Sequence, residues 1–241
     1  MNSSYKEHFR ITCYDADHNG NLKLFAFMNH AQELANIHAS NLGFGYETMI
    51  EKSVAWILSR VHVKFLRYPQ WKEEINIETW HKGDDRLFGL RDFHAYTDAD
   101  ETLILATSSW VIIDTESRRV QRVRNILGEE YKGAERDAIK ESAQKLSSPE
   151  GMEFAGERRV ALSDIDINQH TNNAKYVEWA IDFIDPDLLN IKSVKEFTIN
   201  FNHESKIDQT ISIYRKYEKD SIFIEGKHEE ISVFQILLSL S

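Results

Sequence analysis

Between Ser163 and Tyr176 the chain concentrates groups that can move protons: two carboxylates, several amides and a histidine in Asp164-Ile-Asp166-Ile-Asn168-Gln-His170. Immediately behind them Ala174, Val177, Ala180, Ile181 and Ile184 recur at helical spacing, so the polar group stands at a helix entrance. A helix start presents unpaired N–H groups and the positive end of the dipole, which suits negative charge developing on a substrate oxygen. Thr171, Asn172 and Asn173 occupy that entrance, and Pro186 marks the expected end of the helix. Asp and Asn are also ordinary turn and cap residues, and Asp164, Asn172 and Asn173 fit that simpler role.

The elements that must position these groups come in two similar runs. In the first, a strand over Tyr5 to Cys13, with Cys13 a small strand residue, leads through a turn-rich stretch into a helix patterned by Leu24, Met28, Ala31, Leu34, Ala35 and His38, with Gly43 as its stop. Gly45 to Lys52 adds a further helical turn or two. Runs rich in Val, Ile, Trp, Phe and Thr follow at Val54–Tyr68, Glu74–His81, Phe88–Tyr96 and Leu103–Asp114, which reads as a four-strand antiparallel meander wrapping the helix. The second run has a strand over Glu157–Leu162, the polar stretch, its helix, and strands at Phe197–Phe201, Gln209–Arg215, Ile222–His228 and Ile231–Leu238.

The repetition extends to residues. Asp15, Asp17, Asn19 and Asn21 lie over Asp164, Asp166, Asn168 and His170 at a constant offset of 149, and Phe65 and Ile75 lie over Phe201 and Ile211 at 136. Only the second copy carries the histidine. The expected organisation is an N-terminal unit over 1–125, a charged linker over 126–151 with a surface helix available at Ala134–Leu146, and a catalytic unit over 152–241.

A formal net charge of −10 argues against non-specific nucleic-acid binding, which needs a basic footprint. Locally the sign reverses: Arg118, Arg119, Arg122 and Arg124 crowd a segment free of acidic residues, either simply solvated or able to steer an acidic partner. The lone Cys13 excludes an internal disulfide framework and a cysteine-clustered zinc site, and no run is long and apolar enough for a membrane span or signal peptide. A cytoplasmic protein is expected.

The chain resembles the acyl-acyl carrier protein (acyl-ACP) thioesterases, best known from plants. The segments that carry the resemblance are Ala55-Trp-Ile-Leu-Ser-Arg-Val61, Arg67-Tyr-Pro-Gln-Trp71 with Ile77-Glu-Thr-Trp80, Thr107-Ser-Ser-Trp-Val-Ile-Ile113, Ser117-Arg-Arg-Val120, and Asp164 through Tyr176. The resemblance implies an α+β double hotdog, two tandem units each with an antiparallel sheet around a helix. It implies hydrolysis of acyl-ACP to fatty acid and ACP without metal or organic cofactor, and a catalytic set at Asp166, Asn168, His170 and Glu204. Many plant members have a cysteine after that glutamate; here Ser205 stands there, so a cysteine nucleophile is excluded at this position. The absence of a plant-type targeting extension points to a bacterial cytoplasm.

For a thioester, Asp166 or Glu204 could take a proton from water while His170 orients that water or protonates the departing thiolate, with Asn168 fixing the geometry and Thr171 to Asn173 facing the oxyanion. The rival route uses Ser205 as nucleophile and His170 as its base. The acyl slot is expected in the first half, with Met28, Leu34 and Trp56 as lining candidates against ordinary core packing. The arginine segment would meet acidic ACP. An acyl-CoA thioesterase, a hotdog dehydratase (its His-Phe-Pro-Gly segment is absent) and a non-catalytic acyl-binding protein are the alternatives. A fused pair of units is compatible with a monomer or a homodimer.

Overall fold

The computed structural model describes residues 3–128 and 132–241. Two compact units divide the chain, one ending at Ala143 and the other beginning at Gln144. That boundary falls inside the stretch read as a linker, of which residues 129–131 lie outside the described residues.

In the first unit β1 (Tyr5–Arg10) precedes α1 (Leu24–Asn41) and the short α2 (Tyr46–Glu51). Then come β2 (Val54–Phe65), β3 (Glu74–Asp85), β4 (Phe88–Tyr96), β5 (Thr102–Asp114), the two-residue β6 (Val120–Gln121) and α3 (Val123–Leu127). α1 buries the stripe its spacing announces, Leu24, Phe27, Met28, Ala31, Leu34, Ala35 and His38. It stops where Gly43 adopts φ 82°, the left-handed conformation that closes many helices. The second unit comprises β7 (Glu153–Arg159), α4 (Asn173–Asp182), α5 (Pro186–Ile191), β8 (Val194–Phe201), β9 (Thr210–Tyr217), β10 (Ser221–His228) and β11 (Ile231–Leu240).

The strand order is β1-β3-β4-β5-β2 in the first unit, with β6 against β5, and β7-β9-β10-β11-β8 in the second. Each unit therefore follows one plan, first, third, fourth, fifth, second, with antiparallel neighbours throughout. Alternate residues of the second sheet, Phe197 and Ile199, Ile211 and Ile213, Ile222 and Ile224, Phe234 and Ile236, are at most 1% exposed. Each such side chain contributes about 1.5–3 kcal/mol by leaving water; α4 meets this period-two face through Tyr176, whose ring lies 5.2 Å from that of Phe234.

Several expectations need correction. The meander has three strands: β2 pairs with β5, Val54 opposite Asp114, while β1 takes the place beside β3. Hairpin neighbours need short turns, and the eight residues 66–73 between β2 and β3 are long enough to cross instead. β1 ends at Arg10, which leaves Cys13 exposed in a turn. Pro186 does not terminate α4; the helix ends at Asp182, and Pro186 opens α5 behind the Asp185 cap, where its missing N–H costs nothing. The surface helix expected over 134–146 is absent. Its backbone groups are taken by side chains and edges of the sheets instead: Ala138 N–H by Asp92 Oδ2 at 2.7 Å, Arg136 C=O by Trp80 Nε1 at 2.9 Å, Ile139 C=O by Lys82 Nζ at 2.6 Å, and Leu146 N–H by Asn200 Oδ1 at 2.7 Å.

The β2–β3 crossing is held by Arg67. Its guanidinium forks onto Glu73, at 3.0 and 2.6 Å, and onto Glu101, at 2.8 and 3.0 Å. Hydrogen bonding to Arg67 holds the Glu73 carboxyl below its ordinary range. Glu73 thus keeps its charge to lower pH when folded, so its contribution is complete above pH 4.5 and fades as pH falls further. Arg67→Met is expected to lower the unfolding free energy by about 1 kcal/mol at neutral pH, because the clamp is partly exposed. The loss should shrink in acid, as read by urea denaturation at stepped pH, and an undiminished loss well below the glutamate range would refute the clamp.

Candidate active site

The polar stretch of the second unit folds as a tight turn built from its own alternation. Asp164, 1% exposed, accepts the Ala161 N–H on Oδ2 at 2.9 Å, while its Oδ1 faces Arg158 and Lys175 at 3.9 and 3.8 Å. Its carbonyl accepts the Asn172 N–H at 2.9 Å. Within the turn Asp166 N–H donates to His170 C=O at 2.9 Å, Gln169 N–H to Asp166 C=O at 3.0 Å, and Asn168 N–H to Asp166 Oδ1 at 2.8 Å. Closure of so short a loop forces Gln169 to φ 63°, a left-handed conformation. His170 leaves the turn toward Glu204, with Nε2 and Oε2 3.2 Å apart. Both side chains are partly open to water, 26% and 28% exposed.

Glu204 lies just past β8, and its segment is docked on the turn by residue 205. Thr171 N–H donates to Ser205 C=O at 2.9 Å, and Thr171 Oγ1 lies 3.1 Å from the same carbonyl and 2.7 Å from Ser205 Oγ. From the buried face of α4 the Tyr176 hydroxyl reaches Ser205 Oγ at 2.9 Å and accepts the Ser205 N–H at 3.1 Å. Ser205 is wholly buried.

The first unit repeats this turn almost bond for bond. Asp17 N–H donates to Asn21 C=O at 2.8 Å, Gly20 N–H to Asp17 C=O at 3.0 Å, and Asn19 N–H to Asp17 Oδ1 at 2.8 Å. Gly20 has φ 80° where Gln169 has φ 63°. Leu22 N–H donates to Pro69 C=O at 2.9 Å, matching Thr171 with Ser205 at the two sequence offsets. The chemistry does not repeat. Asn21 stands at the histidine position and accepts from the Gln70 amide at 2.6 Å, and at the glutamate position stands Tyr68, whose phenol burial pushes well above its ordinary range. Two neutral amides and a protonated phenol cannot exchange protons as an imidazole and a carboxylate can.

Residues 2–131 match the family model described as the acyl-ACP thioesterase N-terminal domain, and residues 148–238 the C-terminal domain. The chain belongs to the acyl-ACP thioesterase family. Relatives include the chloroplastic oleoyl-acyl carrier protein thioesterase of Coriandrum sativum, 29% identical over 90% of this chain and 63% of that protein, and the chloroplastic dodecanoyl-[acyl-carrier-protein] hydrolase of Umbellularia californica, 28% identical over 86% and 58%. The chain thus spans about six-tenths of the length of the curated relatives it matches. Among solved structures, an acyl-ACP thioesterase from Bacteroides thetaiotaomicron superposes with a TM-score of 0.90 at 25% identity, covering 100% of this chain and 98% of that one. The 12:0-ACP thioesterase from Umbellularia californica shares the fold, with a TM-score of 0.87 at 24% identity over 100% and 98% of the two chains. The fold is the α+β double hotdog.

Within this acyl-ACP thioesterase family member the expected site residues fare differently. His170 and Glu204 meet, and Asp166 and Asn168 share the turn, with Asn168 exposed near its tip. The N–H groups of Thr171 and Asn172 are committed to Ser205 and Asp164, and the Asn172 side chain caps α4 on Ala174 N–H at 2.8 Å. The Ser205 hydroxyl points inward to Thr171 and Tyr176. In the first unit a small apolar cleft beside α1 is lined by Met28 with Phe27, Ala31, Leu58, Val61 and Phe93 among others. Leu34 packs in the core instead, and Trp56 turns to Phe44, whose carbonyl it reaches at 3.2 Å. Arg118, Arg119, Arg122 and Arg124 are exposed, Arg124 pairing with Asp84 at 3.1 Å. Sequence reasoning gave Tyr176 no role. The signal was a tyrosine on the buried face of the helix, whose hydroxyl must find a partner there.

Gln169 holds a conformation that its first-unit counterpart meets with glycine. A left-handed non-glycine residue costs about 1–2 kcal/mol, part of which glycine returns as unfolded-state entropy. Gln169→Gly is therefore expected to raise the unfolding free energy by about 0.5–1 kcal/mol in chemical denaturation; a destabilised variant would mean that the glutamine side chain itself supports the turn.

Proposed function

We propose that the protein hydrolyses the thioester of acyl-ACP to free fatty acid and carrier protein, with no metal or organic cofactor. The observation that carries this reading is the His170–Glu204 contact at 3.2 Å, an imidazole and a carboxylate in hydrogen-bond reach of each other and open to water. Glu204 takes a proton from water as the water oxygen attacks the thioester carbonyl carbon. Glu204 passes that proton across the contact to His170, and when the tetrahedral intermediate collapses and the C–S bond breaks, the imidazolium delivers it to the departing thiolate. Asp166 holds the turn through its bond to Asn168 N–H, which leaves the exposed Asn168 amide to donate to the carbonyl oxygen. With the Thr171 and Asn172 N–H groups already committed, the entrance of α4 contributes its dipole to the developing oxyanion.

Preference for the carrier ester over the CoA ester is supported by the names of the relatives and by the exposed Arg118, Arg119, Arg122 and Arg124, which suit an acidic carrier protein. The first-unit cleft is lined mainly by apolar side chains but encloses only about 10 Å³, so an acyl chain would enter it only where those side chains part. Among the described residues no helix is long and apolar enough to cross a membrane. A single exposed cysteine suits the reducing cytoplasm proposed for it.

Free-thiol release from a panel of acyl-ACPs and matched acyl-CoAs tests the reading. Wild type is expected to prefer the carrier esters, and Glu204→Gln and His170→Ala each to lose about 10²–10⁴-fold in kcat, the range for a removed acid–base group. Asp166→Asn should lose less, since an amide oxygen can still accept the Asn168 N–H. Turnover confined to CoA esters would make the protein an acyl-CoA thioesterase, and tight acyl binding without turnover would make it a binding protein.

A further inference from the structure

The hydroxyls of Thr171, Ser205 and Tyr176 form a closed network whose proton directions follow from counting. Each has one proton to give. Thr171 Oγ1 donates to Ser205 C=O at 3.1 Å, so the 2.7 Å contact between Thr171 Oγ1 and Ser205 Oγ must use the serine proton. Ser205 Oγ then has none left, and the 2.9 Å contact with Tyr176 must use the phenol proton, while the phenol oxygen accepts the Ser205 N–H at 3.1 Å. Burial pushes the Tyr176 phenol up, which keeps that proton in place. All three residues are buried, at 4%, 0% and 2% exposure, so no water competes.

His170 precedes Thr171 and Glu204 precedes Ser205, so each half of the pair stands one residue from an anchor of this network. We propose that Tyr176 and Ser205 are positioning residues that set the His170–Glu204 contact, and that the Ser205 hydroxyl serves this relay instead of accepting the acyl group. The serine proton goes to Thr171, away from any base, and the oxygen is sealed from water. The proposal rests on the hydrolase reading for its kinetics only.

The test compares wild type with Tyr176→Phe, Ser205→Ala, Ser205→Cys and the Tyr176→Phe/Ser205→Ala double variant. It measures kcat and KM, thermal unfolding, long-range ¹H–¹⁵N spectra of the His170 ring without substrate, and intact mass after rapid quench. A shift of the order of 1 Å in a catalytic group costs up to about 10²-fold. Tyr176→Phe and Ser205→Ala, still folded, are therefore expected to lose about 10- to 100-fold in kcat with KM within about twofold. The double variant should fall no further than the worse single one, because both cut one relay. Ser205→Cys, with a weaker donor and a larger atom that still bridges the two hydroxyls, should lie between wild type and Ser205→Ala. The His170 ring signals should shift in Tyr176→Phe, and no acyl adduct should appear on Ser205. Wild-type kcat and unchanged His170 signals in Tyr176→Phe would overturn the proposal, as would an acylated Ser205 with activity lost only in the serine variants. Should wild type hydrolyse no thioester, the hydrolase reading fails, and the His170 spectra of Tyr176→Phe still decide the positioning role.

Discussion

One main-chain hydrogen bond, from Thr171 N–H to Ser205 C=O at 2.9 Å, fixes the turn ahead of α4 against the segment that follows β8. The proposed proton-handling pair, His170 and Glu204, stands immediately before those two residues. The constraint is topological before it is chemical. In each unit the strand that follows the helix lies at the opposite end of the unit's strand order from the first strand, and the chain leaving it passes the turn that entered the helix. The first unit makes the same bond, Leu22 N–H to Pro69 C=O at 2.9 Å, with Asn21 and Tyr68 at the positions of His170 and Glu204. The backbone frame is thus a property of the fold, and the proposed activity belongs to two side chains mounted on it.

Burial separates the acids that hold the frame from the acid that can work in it. Asp164 and Asp15 are 1% and 7% exposed, and each closes a turn by accepting an N–H three residues upstream, from Ala161 and Thr12. A carboxylate so enclosed needs cations or donors around it, and Asp164 has Arg158 and Lys175 at hand. It has no water to deprotonate. Glu204 is 28% exposed and lies 3.2 Å from His170, the path to solvent and the histidine that the proposed general base uses. Exposure thus distinguishes Glu204 from Asp164, and the contact with His170 distinguishes it from the partly exposed Asp166, whose Oδ1 accepts the Asn168 N–H.

The architecture was legible where pattern and local chemistry agree. The stripe from Leu24 to His38 could only be a buried helix, and the offset of 149 between the two Asp-x-Asp-x-Asn turns reappears as matching hydrogen bonds. The pairing of β2 with β5 was not legible, because strand order depends on which edge a crossing chain reaches and residues 66–73 do not encode that locally. Nor was the extended course of 134–146. Its charged composition permits a helix, but Asp92, Trp80 and Lys82, far away in sequence, offer its backbone better partners. At the site, residue types announced acid–base chemistry, and the resemblance pointed to Glu204. Two details were invisible: the commitment of the Thr171 and Asn172 N–H groups, and the enclosure of Ser205. The first depends on partners 34 residues from Thr171 and 8 from Asn172, the second on partners 34 and 29 residues from Ser205, and no local spacing rule reaches them.

That enclosure gives a physical reading of the residue at 205. A hydroxyl can accept from a phenol and donate to a second hydroxyl at distances of 2.9 and 2.7 Å, which keeps Tyr176, Ser205 and Thr171 close. A thiol is a weaker donor and a larger atom, so it would hold the same three elements together less firmly and slightly farther apart. A nucleophile needs the opposite environment, with its proton shared with a base and its oxygen open to the substrate. Position 205 provides neither, and in the proposed mechanism the half-open face of the turn, where His170 meets Glu204, provides both for a water molecule.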